Sequence, residues 1–181
     1  MTDLEQWVLE QIREDDPFMG WLEERRFDFV PPVQSSIEQM INGATIVLIT
    51  DHDRRWFSQY ILQKLNDPAQ NRPMFPIVNI ESLYPHYSQV TDTEGLEMIE
   101  DMLSLSYAEK YFFWYIGKGA DKKADLAKRN DRSMLWVMDE EVQNSFLLDS
   151  FDKILDMKLL HLYRLFDKTL GGALFGDYEI H

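Results

Sequence analysis

Ala44-Thr45-Ile46-Val47-Leu48-Ile49-Thr50 is an unbroken, largely β-branched apolar run. A strand with one wet face alternates polar with apolar residues, so a run of this kind must be covered on both faces. Further strands are expected over Met74 to Ile80, over Lys110 to Ile116 with Tyr-Phe-Phe-Trp-Tyr at its centre, over Met134 to Met138 and, briefly, over Asn144 to Leu148. Helical spacing falls between them: Trp56, Phe57, Tyr60, Ile61 and Leu65 in one interval, Leu96, Ile99, Met102 and Leu103 in another. Alternation of this sort argues for right-handed βαβ units and a parallel sheet between helical layers. The expected fold class is α/β, doubly wound and Rossmann-type.

The first 43 residues read differently, as a helical N-terminal extension of a single domain over 1–181 in which 44–181 alternates β and α. Leu4, Trp7, Val8, Gln11 and Ile12 form one helical stripe, ended by Glu14-Asp15-Asp16-Pro17. A short element over Gly20 to Phe29 follows. Pro31-Pro32 is expected to start another helix, with Val33, Ile37, Met40 and Ile41 on one face and Gly43 as its C-terminal cap. Within the alternating part, Asp53 is the expected N-cap of the helix after the first strand. Asn66-Asp67-Pro68 should close that helix, Glu81 to Val90 is a loop, and Thr91 with Glu94 forms a capping box. Gly117-Lys118-Gly119 turns into a basic amphipathic stretch up to Arg132, and the last helix spans about Ser150 to Phe175.

Charge narrows the function classes. The chain has 32 acidic and 18 basic residues, a formal charge of -14. Nucleic-acid affinity rests largely on Lys and Arg neutralising phosphates, so direct DNA or RNA binding is not expected. There is no cysteine, hence no disulfide, thiol nucleophile or thiolate metal site. No apolar run approaches the roughly 20 residues of a membrane span. The opening Met1-Thr2-Asp3-Leu4-Glu5 lacks the basic and apolar regions of a signal peptide, and a cytoplasmic location is expected.

In doubly wound sheets ligands favour the carboxyl edge of the strands. Thr50 to Arg55, Gly117 to Asp121 and Asp139 to Glu141 should lie there. A dinucleotide site needs glycines in the first turn, whereas this turn is Thr50-Asp51-His52-Asp53-Arg54-Arg55, with two carboxylates. No cofactor is expected. Asp51 and Asp53 do match the Asp-x-Asp spacing of haloacid-dehalogenase-type phosphatases. There the first carboxylate is the nucleophile, the second an acid and base, and Mg²⁺ offsets their charge. Asp139-Glu140 could supply further metal-binding acids. Arg55, however, stands where that family has Thr or Val. The plainer reading is a capped turn with solvated acids. A receiver domain fails, because Ile116-Gly117-Lys118 lacks the phosphoacceptor carboxylate. Gly117 to Lys123 lacks the Walker spacing, no Gly-x-Ser-x-Gly elbow exists, and His52, His86, His161 and His181 do not cluster. His161 reads as a packed residue of the last helix.

That helix carries apolar excess. Ile154, Leu155, Leu159, Leu162, Tyr163, Phe166 and Leu170 form one stripe, while Met157, Leu160, Leu165 and Leu174 lie off it. With Trp7, Val8, Trp21 and Phe27 in the N-terminal elements, self-association is expected.

Several stretches, in order, resemble the HobA family of DnaA initiator-associating factors from epsilon-type proteobacteria. They are Gly20-Trp21-Leu22-Glu23, Ile41-Asn42-Gly43-Ala44, Asp51 with Arg54-Arg55-Trp56-Phe57 and Tyr60-Ile61, Tyr84-Pro85, Trp114-Tyr115-Ile116-Gly117-Lys118 and Leu135-Trp136. The resemblance implies a sugar-isomerase-like (SIS-like) fold with a five-stranded parallel sheet and a homotetramer. It also implies a non-enzymatic adaptor that binds the N-terminal domain of DnaA and promotes initiator assembly at the chromosomal origin. Members lack the Ser/Thr-rich phosphosugar loops of true SIS domains, as this chain does at Asp51-His52-Asp53. Asp51, Asp53, Arg54, Arg55 and Trp56 are the candidate partner contacts, since polar and aromatic groups stand side by side there.

Overall fold

The structure is a computed structural model that describes residues 3–15 and 17–180; Met1, Thr2, Asp16 and His181, named above, lie outside the described residues. Five parallel strands form its sheet: β1 (Thr45–Thr50), β2 (Ile77–Asn79), β3 (Tyr111–Lys118), β4 (Met134–Met138) and β5 (Ser145–Leu148). Their order is β2-β1-β3-β4-β5. Side chains alternate between two cores. Ile46, Leu48, Phe112, Trp114, Ile116, Trp136 and Phe146 face one helical layer. Val47, Ile49, Tyr111, Phe113, Tyr115, Leu135 and Val137 face the other. The first layer holds α1 (Leu4–Asp15), α2 (Leu22–Ile41), α3 (Arg55–Lys64) and α7 (Leu155–Phe175). The second holds α4 (Ile80–Leu83), α5 (Thr93–Tyr107) and α6 (Asp125–Lys128). The expected doubly wound α/β class with five parallel strands is the observed one.

Local departures have identifiable causes. Pro31-Pro32 does not start a helix; both lie inside α2, which runs unbroken through them. The prolines withdraw donors from the carbonyls of Phe27 and Asp28, at a cost of roughly 3 kcal/mol each in a helix interior. Both of those residues are exposed. Leu22, Phe29, Val30, Val33, Ile37 and Met40 form one buried stripe across the prolines. At roughly 1.5–3 kcal/mol for each buried side chain, that stripe outweighs the lost bonds. Gly43 then ends α2 as expected: it sits at φ +86°, its N–H donates to Met40 O, and Ala44 N–H donates to Gln39 O.

β2 is shorter than expected because Pro73 and Pro76 flank Met74-Phe75 and cannot donate to a ladder. Asn66 holds Phe75 instead, donating to its carbonyl and accepting from its N–H, both at 2.8 Å. The cap of α5 is Asp92, which accepts from Gly95 N–H at 2.8 Å, and not Thr91 with Glu94. Met102 of that helix is exposed. The basic stretch after Gly119 contains a short 3-10 turn and α6, with Ala124, Leu126 and Ala127 packed into the second core.

The last helix starts at Leu155, because Asp149 and Asp152 bond the backbone N–H groups of Phe151 and Ile154 and form turns ahead of it. Much of the helix's circumference is buried within the chain. Leu165, off the expected stripe, and Val8 of α1 are fully buried, and Trp7 of α1 is buried. Met157, Ile154 and Phe175 remain exposed. α1 approaches α7 at Gly172, where an added Cβ would lie 2.8 Å from Trp7 Cζ2 and 2.9 Å from Tyr178 Cε1; at Gly171 it would meet nothing within 4 Å.

These neighbouring glycines give a paired prediction. Gly172→Ala should destabilise by about 1–3 kcal/mol through overpacking. Gly171→Ala should stabilise by about 0.4–1 kcal/mol through helix propensity and unfolded-chain entropy. Urea denaturation of the two variants checks the opposite signs.

Candidate functional site

Between β1 and β3 the chain reverses its direction of winding. This is the switch point where doubly wound folds open a ligand crevice at the carboxyl edge. Here Asp51, the residue after β1, fills it. Its Oδ1 accepts from Arg54 N–H at 3.0 Å and Arg54 Nε at 2.7 Å. Its Oδ2 accepts from the Arg54 Nη2 and, at 2.8 Å, from the backbone N–H of Lys118 at the end of β3. Asp51 is 3% exposed and Arg54 6%. Burial opposes the charge on Arg54, but the hydrogen bond and charge of Asp51 outweigh it and hold the guanidinium above its ordinary range. Tyr115 closes the floor, donating its hydroxyl to Lys118 O at 2.7 Å. Burial, reinforced by the Asp51 charge, pushes that phenol far up. β3 passes this close only because residue 117 is glycine: a Cβ there would stand 2.6 Å from the Tyr115 hydroxyl and 2.8 Å from Asp51 Cγ.

The expected cap is therefore shifted. Asp51, and not Asp53, caps the turn over His52–Arg54, while α3 itself starts at Arg55, with Arg54 at its N-cap position making no side-chain cap. Asp53 points outward, its side chain 66% exposed and 3.8 Å from Arg54 Nη2. Arg54 Nη2 stands between the two carboxylates, and both oxygens of Asp51 are taken by donors. The five candidate residues share one turn and divide by orientation. Asp51 and Arg54 face inward; Asp53, Arg55 and Trp56 (38% exposed) form an outer rim.

Neighbouring turns are also satisfied internally. Gly119 donates its N–H to Met138 O at 3.0 Å, and its carbonyl accepts from Lys128 Nζ at 3.0 Å. Lys128 also pairs with Glu140 at 2.8 Å, and Lys123 with Glu81 at 2.7 Å. Asp139, at φ +66°, accepts from the Ser150 hydroxyl and, at 2.8 Å, from Ser150 N–H. Those bonds hold its carboxyl below its ordinary range. Among the described residues no group of three or more His, Asp or Glu is placed to hold a metal ion. His161 is packed as expected, and its Nδ1 accepts from the Trp21 indole N–H at 3.2 Å. Sequence reading missed Tyr115, Gly117 and Lys118 as parts of the Asp51 site. A glycine closing an otherwise bulky strand was the available signal, because it marks a close approach.

Fold and site together define a doubly wound α/β domain of 2-1-3-4-5 order whose switch point is filled by its own side chains. The family model described as HobA, DNA replication regulator, matches residues 1–180, and the chain belongs to that family. The DNA replication regulator protein HobA of Helicobacter pylori is 29% identical over 189 residues, an alignment spanning 99% of this chain and 100% of that one. The crystal structure of a HobA–DnaA (domain I–II) complex from Helicobacter pylori is similar with a TM-score of 0.72 at 28% identity, covering 99% of each chain. A crystal structure of HobA from the same organism gives a TM-score of 0.71 at 27% identity, over 98% of this chain and 99% of that one.

Removing the Asp51 charge should leave Arg54 buried and unpaired. Asp51→Asn is expected to cost about 3–5 kcal/mol, as for other broken buried pairs. Asp53→Asn, at the exposed position, should stay within about 0.5 kcal/mol of the parent. Chemical denaturation of both variants is the check.

Proposed function

We propose that the chain is a non-enzymatic adaptor that binds the N-terminal domain of the replication initiator DnaA and promotes its assembly at the chromosomal origin. The carrying observation is the likeness, over 99% of both chains, to a HobA crystallised with DnaA domains I–II. The site supports the same reading. A crevice occupied by Asp51 and Arg54 offers a small substrate no approach, and Asp51 has no free oxygen for attack. The haloacid-dehalogenase alternative needs a free Asp51 carboxylate, and here Arg54 and the Lys118 N–H hold it. What the edge presents is the outer rim: Asp53, Arg55 and Trp56 are proposed to touch the initiator, with Asp51 and Arg54 setting their positions.

The adaptor works in the cytoplasm as a homotetramer on this reading, without direct contact to DNA. No helix among the described residues is long and apolar enough to cross a membrane. Phe18, Met98, Met102, Leu105, Phe151, Ile154, Met157 and Phe175 leave large apolar side chains in water, surface that association would cover. Several identical sites in one assembly would hold several initiators near one another and raise their effective concentration.

Tagged chain should retain the cognate DnaA N-terminal domain at physiological salt, and light scattering should give a mass near four chains. Alone it should not shift origin DNA, though it should alter the shift that DnaA produces. With Mg²⁺ it should not hydrolyse an aryl phosphate. Failure to retain the DnaA domain, or hydrolysis lost in Asp51→Asn, would overturn the adaptor reading; a single-chain mass at micromolar concentration would overturn the tetramer.

A further inference from the structure

β5 is an edge strand, the last in the order β2-β1-β3-β4-β5. Asp139 N–H donates to Leu148 O at 3.1 Å, so Phe146 and Leu148 turn their backbone groups towards β4, while Ser145 and Leu147 turn theirs outward. The strand, Ser145-Phe146-Leu147-Leu148, carries no charge and no proline. An unpaired edge of that composition is a template on which another chain can add a strand. The opposite edge is guarded by its own sequence, since Pro73 and Pro76 stand ahead of the three residues of β2. β5 has no comparable residue of its own.

Its cover comes from α2. Arg25 donates from Nη2 to Leu147 O at 2.7 Å, so the guanidinium stands where the N–H of an added strand would donate. Arg25 Nε donates to Asp28 Oδ2 at 2.8 Å, which fixes the group from behind. Its Cζ lies 4.2 Å from the centroid of the buried Phe146 ring. Three contacts thus hold one long side chain across the edge. The placement runs against local preference. A helix start favours acids, as at Glu23 and Glu24, and a cation there faces the positive end of the dipole. Around Arg25 the edge opens on a cleft of about 580 Å³, bounded also by Asp28, Glu141, Ser145 and Leu147. There is room beside the strand, and the guanidinium stands in it.

We propose that Arg25 is an edge lock, an autoinhibitory contact that keeps β5 from pairing with β5 of a second copy. Such pairing needs Leu147 O as acceptor and the outward Leu147 N–H as donor. The incoming backbone would have to displace the guanidinium from carbonyl, carboxylate and ring together. Without the lock the edge is self-complementary: two copies of β5 related by a two-fold axis run antiparallel, and each supplies the partner of the other. Sheet would then join sheet through a contact that the locked chain does not offer. The inference concerns the sheet edge alone and does not depend on the adaptor reading.

Arg25→Met in the full chain tests this, because it keeps an unbranched stem over Phe146 and removes the donors. Light scattering over a concentration series should show the variant rising about twofold or more above the wild-type mass. Hydrogen exchange locates the contact: the Leu147 amide should exchange fast in wild type and slow down in Arg25→Met as concentration rises. Leu147→Pro added to Arg25→Met removes that outward donor without touching the β4 ladder, and should return the mass to the wild-type value. Circular dichroism checks that the variants are folded. If Arg25→Met does not fold, Arg25→Lys, which keeps the charge but loses the fork that reaches Leu147 and Asp28 together, should show the same rise at smaller amplitude. A folded variant with the wild-type mass at every concentration would overturn the proposal. So would a larger mass that Leu147→Pro leaves in place or that brings no protection to Leu147, since association would then run through another surface.

Discussion

The charge pair of Asp51 and Arg54 is the interaction on which the carboxyl edge of this sheet depends. Burying two ions costs several kcal/mol each unless their lone pairs and protons are met. Here one carboxylate accepts from four donors, one of them the Lys118 N–H on the neighbouring strand. That last bond ties β1 to β3 beyond the final ladder pair, Thr50 with Ile116. Gly117 permits the approach and Tyr115 lies under it. The turn is thereby held in one shape and cannot open a crevice without exposing an unpaired charge to an apolar wall.

Function follows from which side of the turn remains. A nucleotide or phosphosugar site needs backbone donors facing outward, and here the Arg54 N–H is spent on Asp51 and the Asp51 N–H on Ile116 O. Gly119 likewise gives its N–H and carbonyl to Met138 and Lys128. What is left on the outside is a rim of Asp53 in the turn with Arg55 and Trp56 in the first turn of α3, the surface proposed to meet the initiator.

Much of the architecture was legible because the sheet is buried on both faces. The runs at Thr45–Thr50, Tyr111–Lys118 and Met134–Met138 have no competing period, and Gly43 marks the end of α2 without ambiguity. The misread elements are those where a side chain or a tertiary stripe overrules a local signal. Pro31-Pro32 looks like a helix start until the buried stripe from Leu22 to Met40 is seen to continue through it. Asp51 and Asp53 are equivalent as capping residues in the sequence; only the position of Lys118, 67 residues on, selects Asp51. For the same reason five candidate contacts could be placed on one turn while their division into two buried and three exposed residues could not.

The backbone amide of Lys118 reports directly on whether the switch point is closed from within. Its N–H donates to Asp51 Oδ2 at 2.8 Å. Native-state hydrogen exchange on the full chain, alone and with inorganic phosphate or a phosphosugar, measures it. A filled crevice predicts an amide as slow as those of the central strands in the free protein and unchanged by either addition. Rapid exchange in the free protein that becomes protected when phosphate or phosphosugar is added would contradict it.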